Sequence, residues 1–263
     1  MLKGKAMNQR SSKSDILYAQ MRGDILSLDL APGCALRLPA LADRYSAGIT
    51  PIRECLNRLS TDKLVVIEHN KGFRVAALSL VDLLDLERSR SAIEGDLFLR
   101  AIRQGSDAWE AGLIGAYHQL ASLAPVSLLG TGADLALWNR RHETFHNALI
   151  AHVNAPWMLH FHQQIADQIR RYQTFIQNGL RDLSQTHQDT APKAADIYAT
   201  ALSIDPHKAL YDVALSRDVE AARAVIEQHS NLSIKAFQDL SRLVPANTDF
   251  ATILQHPDHE VQT

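Results

Sequence analysis

The sequence predicts a mainly α-helical chain in two parts: a small N-terminal head of three helices and a β-hairpin, then an all-α antiparallel bundle. Three observations carry that expectation. Apolar residues recur at helical spacing almost throughout, and only residues 64–76 hold a pair of short β-rich runs. Turn signals punctuate the helices at Pro32-Gly33, Gly48, Gly105-Ser106, Gly130-Thr131-Gly132 and Asn154-Ala155-Pro156. Charge divides the same way. Through Leu80 there are 12 Lys and Arg against 7 Asp and Glu, a balance of +5; the rest carries 15 against 22, or −7.

The elements follow in order. Residues 14–28 read as a helix capped by Ser14, with Leu17, Met21, Ile25 and Leu28 on one face. A short second helix follows Leu38-Pro39 and is broken by Gly48. Thr50 is placed as the N-cap of the third helix, with Pro51 at its first position. Helix, four-residue turn, helix is the helix-turn-helix arrangement. Residues 64–68 and 73–76 read as strands joined by His69-Asn70-Lys71-Gly72, a hairpin placed to act as a wing. Ser79, with Asp82 three residues later, starts a new helix. The winged helix-turn-helix is therefore expected over residues 10–78 and the bundle over 79–243, with a polar, disordered tail over 244–263. Bundle helices are expected at 79–104, 107–124, 133–152, 156–181, 192–204, 205–216 and 218–240.

Composition narrows the function classes. The chain has 263 residues, 46% of them hydrophobic and 21% charged, typical of a globular protein. No apolar run approaches the ~20 residues that span a bilayer. The first 14 residues are polar and basic and lack the apolar core of a signal peptide. Cys34 and Cys55 form no disulfide framework, so a cytoplasmic location is expected.

A basic head of this kind points to double-stranded DNA. The third helix enters the major groove with its N-terminal, outward residues, here Thr50, Arg53 and Asn57, with Arg58 adjacent. Arg53 suits guanine or a phosphate. Arg44 is placed for a backbone phosphate. His69, Asn70, Lys71 and Gly72 at the wing tip reach towards the minor groove. Two such heads on a homodimer would read a near-palindromic operator.

The bundle carries a second constellation. Trp138, His142, Phe145, His146 and Leu149 share one helical face whose other members are core-forming. Two histidines four apart on a core seam are an economical metal pair. His207 and His229 face each other if the chain reverses near Arg217-Asp218. Four imidazoles then converge inside the bundle. A metal-dependent hydrolase is the rival reading. It needs a general base by the metal, and Glu143, at i+1 from His142, points off that face.

The stretches Leu41-Ala42, Pro51 to Leu56, Leu59, Leu64-Val65 and Lys71 to Val75 resemble the GntR family of bacterial regulators. The helical remainder resembles its FadR-type branch, whose effector domain is called FCD. The resemblance implies a ligand-responsive transcription regulator, a repressor relieved by a small carboxylate, a dicarboxylate such as glutarate or a related acid. It also implies a divalent metal held by an Asp and three His. His146, His207 and His229 match the three histidines, and His142 stands where the Asp is usual. An all-imidazole set favours zinc or nickel, unless His142 contacts the effector instead. Arg90, Arg171 and Tyr172 are further effector candidates, and Arg90 can equally pair with Glu94 at i, i+4. Gly48-Ile49 replaces the family's usual Ser-Arg, which removes one base contact. Residues 180–204 are about a dozen longer than the resemblance implies, enough for a helix over the pocket or at an interface.

Overall fold

A computed structural model describes residues 12–123 and 132–245. The polar start, the breaks between Pro125 and Thr131, and the expected disordered tail beyond residue 245 lie outside them. The chain divides between Leu78 and Ser79 into two compact units. Each has its own apolar core.

In the first unit α1 (Lys13–Leu26) is capped by Ser12 rather than Ser14. The Ser12 hydroxyl accepts from the Asp15 amide and the Asp15 carboxylate accepts in return, a reciprocal box that Ser14 cannot form. Then come β1 (Ala35–Leu36), α2 (Leu38–Tyr45) and α3 (Ile49–Thr61). Gly48 does not break α2. Ser46 ends it in the left-handed region at φ 49°, and Gly48 is the N-cap of α3. Thr50 and Pro51 therefore sit inside the first turn of α3. Pro51 is tolerated there because first-turn amides have no intrahelical partner. The turn is correspondingly one residue shorter than expected.

The hairpin is part of a larger sheet. Strands β2 (Val65–Glu68) and β3 (Gly72–Val75) pair antiparallel, and β1 adds to the far side of β3, giving the order β1-β3-β2. Two residues are too few for β1 to show alternation in sequence. Gly72 turns the wing at φ +88°. Met21, Ile25, Ile52, Cys55, Leu56 and Leu59 are fully buried and fasten α1 to α3.

The second unit is all helical among the described residues: α4 (Leu80–Gln104), α5 (Asp107–Ala121), α6 (Gly132–Leu149), α7 (Pro156–Thr186), α8 (Ala191–Ala201), α9 (Ile204–Ser216) and α10 (Val219–Leu243). Ser79 caps α4 by accepting from the Asp82 amide at 3.1 Å. Helix α4 packs on α7 and α10, α5 on α6 and α9, and α8 lies on α7 and α10. The expected break at Asp205-Pro206 falls instead at Leu202-Ser203. Both residues lie in the first turn of α9, where proline and an acidic residue are favourable. Helix α7 continues five residues past its expected end, and α8 occupies the longer segment.

Arg217 turns α9 into α10 at φ 61°. Its guanidinium donates to the Ile102 and Gly105 carbonyls at 3.0 and 2.9 Å, pairs with Glu110 at 3.0 Å and lies over the Trp109 ring. A Cβ at Gly105 would lie 2.3 Å from that ring and 2.7 Å from the Ala101 carbonyl. Glycine is thus required where the α4–α5 corner meets the α9–α10 reversal. No described helix is long and apolar enough to cross a membrane.

Separate cores imply separable effects. Leu56→Ala should cost the head about 2–5 kcal/mol and lower only the head's melting transition in calorimetry. Gly105→Ala should lower only the transition of the helical unit. A single transition that moves with both substitutions would contradict independent cores.

Candidate functional site

The reading face of α3 follows from its amphipathicity. Ile52, Cys55, Leu56 and Leu59 face inward, which leaves Ile49, Thr50, Arg53 and Asn57 exposed. Arg53 shares a groove with Arg37, Lys71 and Gly72 at the base of the wing. Among the described residues neither Arg53 nor Lys71 has an ion-pair partner. His69, Asn70, Lys71 and Gly72 are all exposed at the wing. Arg44 and Arg58 differ from that expectation. Arg44 pairs with Asp24 at 2.6 Å, where Tyr45 also donates. Arg58 pairs with Asp15 at 3.1 Å and stacks on the Tyr18 ring, 4.1 Å from its centroid. Both fasten α1 to the helix-turn-helix. Ile49, at the family's usual arginine position, is an exposed apolar residue in the first turn.

In the second unit the four predicted histidines come together. His142 and His146 lie one turn apart on α6, His207 in the first turn of α9, and His229 on α10 after the reversal. Ring centroids are 4.5 Å apart for His142 and His146, 4.7 Å for His142 and His207, 4.8 Å for His207 and His229, and 5.1 Å for His146 and His229. Ligand nitrogens of His142, His146 and His207 all lie within 4.8 Å of one another. Trp138 stacks on His142 at 4.5 Å and closes one side.

Hydrogen bonding sets the tautomers. The His207 Nδ1 lies 2.6 Å from the Ser203 carbonyl, which can only accept, so Nδ1 carries the proton and Nε2 keeps its lone pair. The His146 Nδ1 lies 2.7 Å from Glu94 Oε1, a carboxylate that accepts the Nδ1 proton. His146 Nε2, His207 Nε2 and His229 Nδ1 are buried and have no partner. Native interiors rarely leave such atoms unsatisfied. Burial holds His207 down to about 3, with His146 adding to the depression. Burial and neighbouring imidazoles likewise hold His142 and His229 well below the usual histidine range. Imidazole nitrogens converging in one space are the donor set of a borderline divalent cation, and a carboxylate behind one imidazole is the usual orienting partner. The residues present therefore fit the metal that the fold implies.

Glu94 is the organiser. It is 3% exposed, accepts from His146, lies 3.3 Å from His162 Nε2, and pairs with Arg90 at 3.6 Å. Burial alone would raise its pKa, but His146 and Arg90 outweigh burial and hold it well below the usual range. Arg90 is not a surface side chain paired only at i, i+4. It is buried between Glu87, at 2.7 Å, and Glu94, and it lines the cavity beside the imidazoles. That cavity has a volume of about 310 Å³. Arg140, Arg170, His162 and Gln173 also line it.

Arg171 and Tyr172 are not part of this wall. Arg171 is fully buried, bonds to Gln168, and burial lowers its pKa to about 10. The Tyr172 hydroxyl accepts from the Ser79 amide at the start of α4. The helical period explains the error: residues 162, 166, 169 and 173 of α7 face the cavity, and 171 and 172 fall on other faces. The same period, counted from His162, would have found the wall that sequence reasoning missed.

The depressed imidazoles make stability depend on pH. As pH falls below about 6.5 the unfolded chain takes up protons that the folded His142, His207 and His229 refuse, so stability declines towards the folded value near 3. In chelator, the helical unit's melting temperature should fall steadily from pH 7 to pH 4, and His207→Leu should flatten that slope. A slope unchanged by this substitution would contradict the neutral, buried assignment.

Residues 13–75 match the family described as "Bacterial regulatory proteins, gntR family", and residues 85–232 match the FCD domain. The chain is 30% identical over 219 residues to the HTH-type transcriptional repressor GlaR of Escherichia coli (strain K12), covering 81% of this chain and 90% of that one. It is 27% identical to the HTH-type transcriptional regulator BphR of Paraburkholderia xenovorans (strain LB400), covering 86% and 85%. Among solved structures, E. coli McbR/YncC superposes with a TM-score of 0.62 at 17% identity, covering 87% of this chain and 99% of that one. A GntR regulator from Rhodococcus sp. RHA1 gives 0.60 at 17% identity, covering 86% and 97%. These two structures share the fold. The families and relatives are transcription regulators and not enzymes, which sets the hydrolase reading aside. With a winged head that matches one family domain and a helical unit that matches the other, the chain belongs to the GntR family of DNA-binding transcription regulators, in its FCD branch.

Proposed function

We propose that this regulator is a homodimeric repressor whose helical unit senses a small carboxylate beside a divalent metal and releases the operator when the acid binds. Residues 10–78 are the DNA-binding unit in this reading, and residues 79–243 the sensing and dimerising unit. The observation that carries it is the set of three buried imidazole nitrogens without a partner, on rings whose centroids lie within 5.5 Å of one another. His146, His207 and His229, with His142, would hold the ion, zinc or nickel by the softness of the donors. When bound, the ion supplies a positive centre with positions open to carboxylate oxygens.

This chain's own residues do the rest. Glu94 and the Ser203 carbonyl orient two imidazoles. The adjoining cavity of about 310 Å³ suits a small organic acid. Arg140 at its edge has no ion-pair partner among the described residues, so a second carboxylate finds a free cation there. That favours a dicarboxylate such as glutarate. Arg90 keeps its charge engaged with Glu87 and Glu94, so its role is to hold the wall. Repression is argued from likeness to a relative named as a repressor. The paired heads of a dimer suit an operator with two half-sites. An acid that binds one helix arrangement better shifts the population, and with it the spacing of the heads.

Two measurements test the reading. Elemental analysis of the pure protein should find about one metal per chain, and His207→Ala with His229→Ala should remove it. The full-length protein should lose affinity for an operator selected from random duplexes when glutarate or a related diacid is added, and a chelator should abolish that response without abolishing DNA binding. A metal-free protein with an unchanged acid response would overturn the metal-assisted reading.

The head makes its own prediction. Arg53→Ala should cost about 1–3 kcal/mol and relax specificity at one base position, measured by anisotropy on point-substituted operators. Lys71→Ala should weaken all sequences equally and reduce the salt slope by about one. Equal losses on specific and random DNA for Arg53→Ala would mean that it contacts phosphate only.

A further inference from the structure

The outward face of α3 carries one side chain that neither the core nor the charge pattern accounts for. Of the large apolar residues on α2 and α3, Ile49 alone is exposed, at 42%. Its neighbours on that face are polar: Thr50, Arg53 and Asn57 are all exposed. An isolated apolar residue on a protein surface is ordinary. This one stands in the first turn of the helix that holds the reading position of the helix-turn-helix, where side chains meet base edges.

Gly48 leaves that residue uncovered. It caps α3 at φ −70°, a conformation open to any residue, and a Cβ there would meet only Pro51, at an ordinary 3.5 Å. The backbone therefore does not demand glycine, and no side chain at the cap screens Ile49. Arg53 follows one turn later, and the helical period puts it on the same side as Ile49. Arg53 shares its groove with Arg37 and Lys71, a cationic surface that suits a phosphate backbone. The partner of Ile49 is thus an apolar group carried by a polyanion.

In the major groove thymine alone adds an apolar group, its C5-methyl, to the hydrogen-bonding pattern of the base edges. We infer that Ile49 is a specificity-determining residue that packs against the C5-methyl of a thymine in the operator. Opposite guanine, adenine or cytosine, isoleucine offers the exposed donors and acceptors no partner, and covering them costs free energy. The step from Ile49 to Arg53 is about 6 Å along the helix, roughly two base-pair rises. The thymine therefore lies within about two base pairs of the group that Arg53 contacts. The inference rests on α3 as the groove-reading helix and is independent of the metal and acid reading of the helical unit.

The test is fluorescence anisotropy of the full-length protein on an operator selected from random duplexes, with each thymine replaced in turn by deoxyuridine, which lacks only the methyl group. At one thymine of a half-site the replacement should weaken wild-type binding about fourfold, the worth of one buried methyl group. In Ile49→Ala the thymine and deoxyuridine duplexes should bind equally. Ile49→Val keeps the branched Cβ and should keep most of the penalty. Because Ile49 is exposed, both substitutions spare the core, and a thermal melt checks that. Wild-type binding indifferent to deoxyuridine at every position would overturn the role of Ile49, while an Arg53→Ala loss confined to specific DNA would leave α3 standing as the reader. A deoxyuridine penalty that persists in Ile49→Ala would also overturn that role, because the methyl group then acts through duplex shape or another residue. If neither Ile49→Ala nor Arg53→Ala changes operator binding, the assignment of α3 as the reader falls as well.

Discussion

An imidazole buried in an apolar bundle can be satisfied at one nitrogen by the protein and still keep a lone pair at the other. The helical unit is organised around that remainder. Ser203 and Glu94 each take one N–H, which leaves Nε2 of His207 and of His146 without a partner, as Nδ1 of the neighbouring His229 is. Trp138 and Phe145 stand edge-on to the His207 ring. The helices that bring these histidines together could have packed with leucines at the same positions. Retaining four imidazoles there sacrifices stability that apolar residues would supply, and such sacrifices concentrate at functional sites.

Charge in the same region tells a consistent story. Glu87, Arg90 and Glu94 lie on one buried face of α4, two carboxylates with one guanidinium between them. Burial keeps His142, His207 and His229 neutral, so these three imidazoles add no positive charge. A buried group of this sign is stabilised by a cation more than by any other ligand. Glu94 links the two sides: one oxygen orients His146, and the other faces His162 on the cavity wall.

The head solves a different problem. With few residues it must hold α3 firmly and still present its outer face. Apolar burial along α1 and α3 supplies the firmness, and the ion pairs of Arg44 with Asp24 and Arg58 with Asp15 tie the same elements together at the rim. Exposed ion pairs of this kind contribute little energy. Arg37, Arg53 and Lys71 share a groove and have no ion-pair partner among the described residues.

Much of this was legible in the chain. Helical periodicity located the ten helices found among the described residues, because a 3.6-residue repeat of apolar positions is a local property. The i, i+4 spacing of His142 and His146, and the equal distances of His207 and His229 from the turn at Arg217-Asp218, placed four imidazoles on facing surfaces for the same reason. Caps and strand ends were less legible. Ser12 competes with Ser14, and Gly48 with Thr50, on differences of one residue that only the hydrogen bonds resolve. Strand β1 is too short to carry a pattern. What sequence alone determined was which residues face inward and roughly where the chain reverses, since both follow from local periodicity and turn chemistry. Tertiary structure decided which inward-facing polar groups meet: Glu94 behind His146, Arg90 between two carboxylates, and Arg171 and Tyr172 away from the cavity. Those outcomes depend on the rotation of one helix against another, and no single helix carries that information.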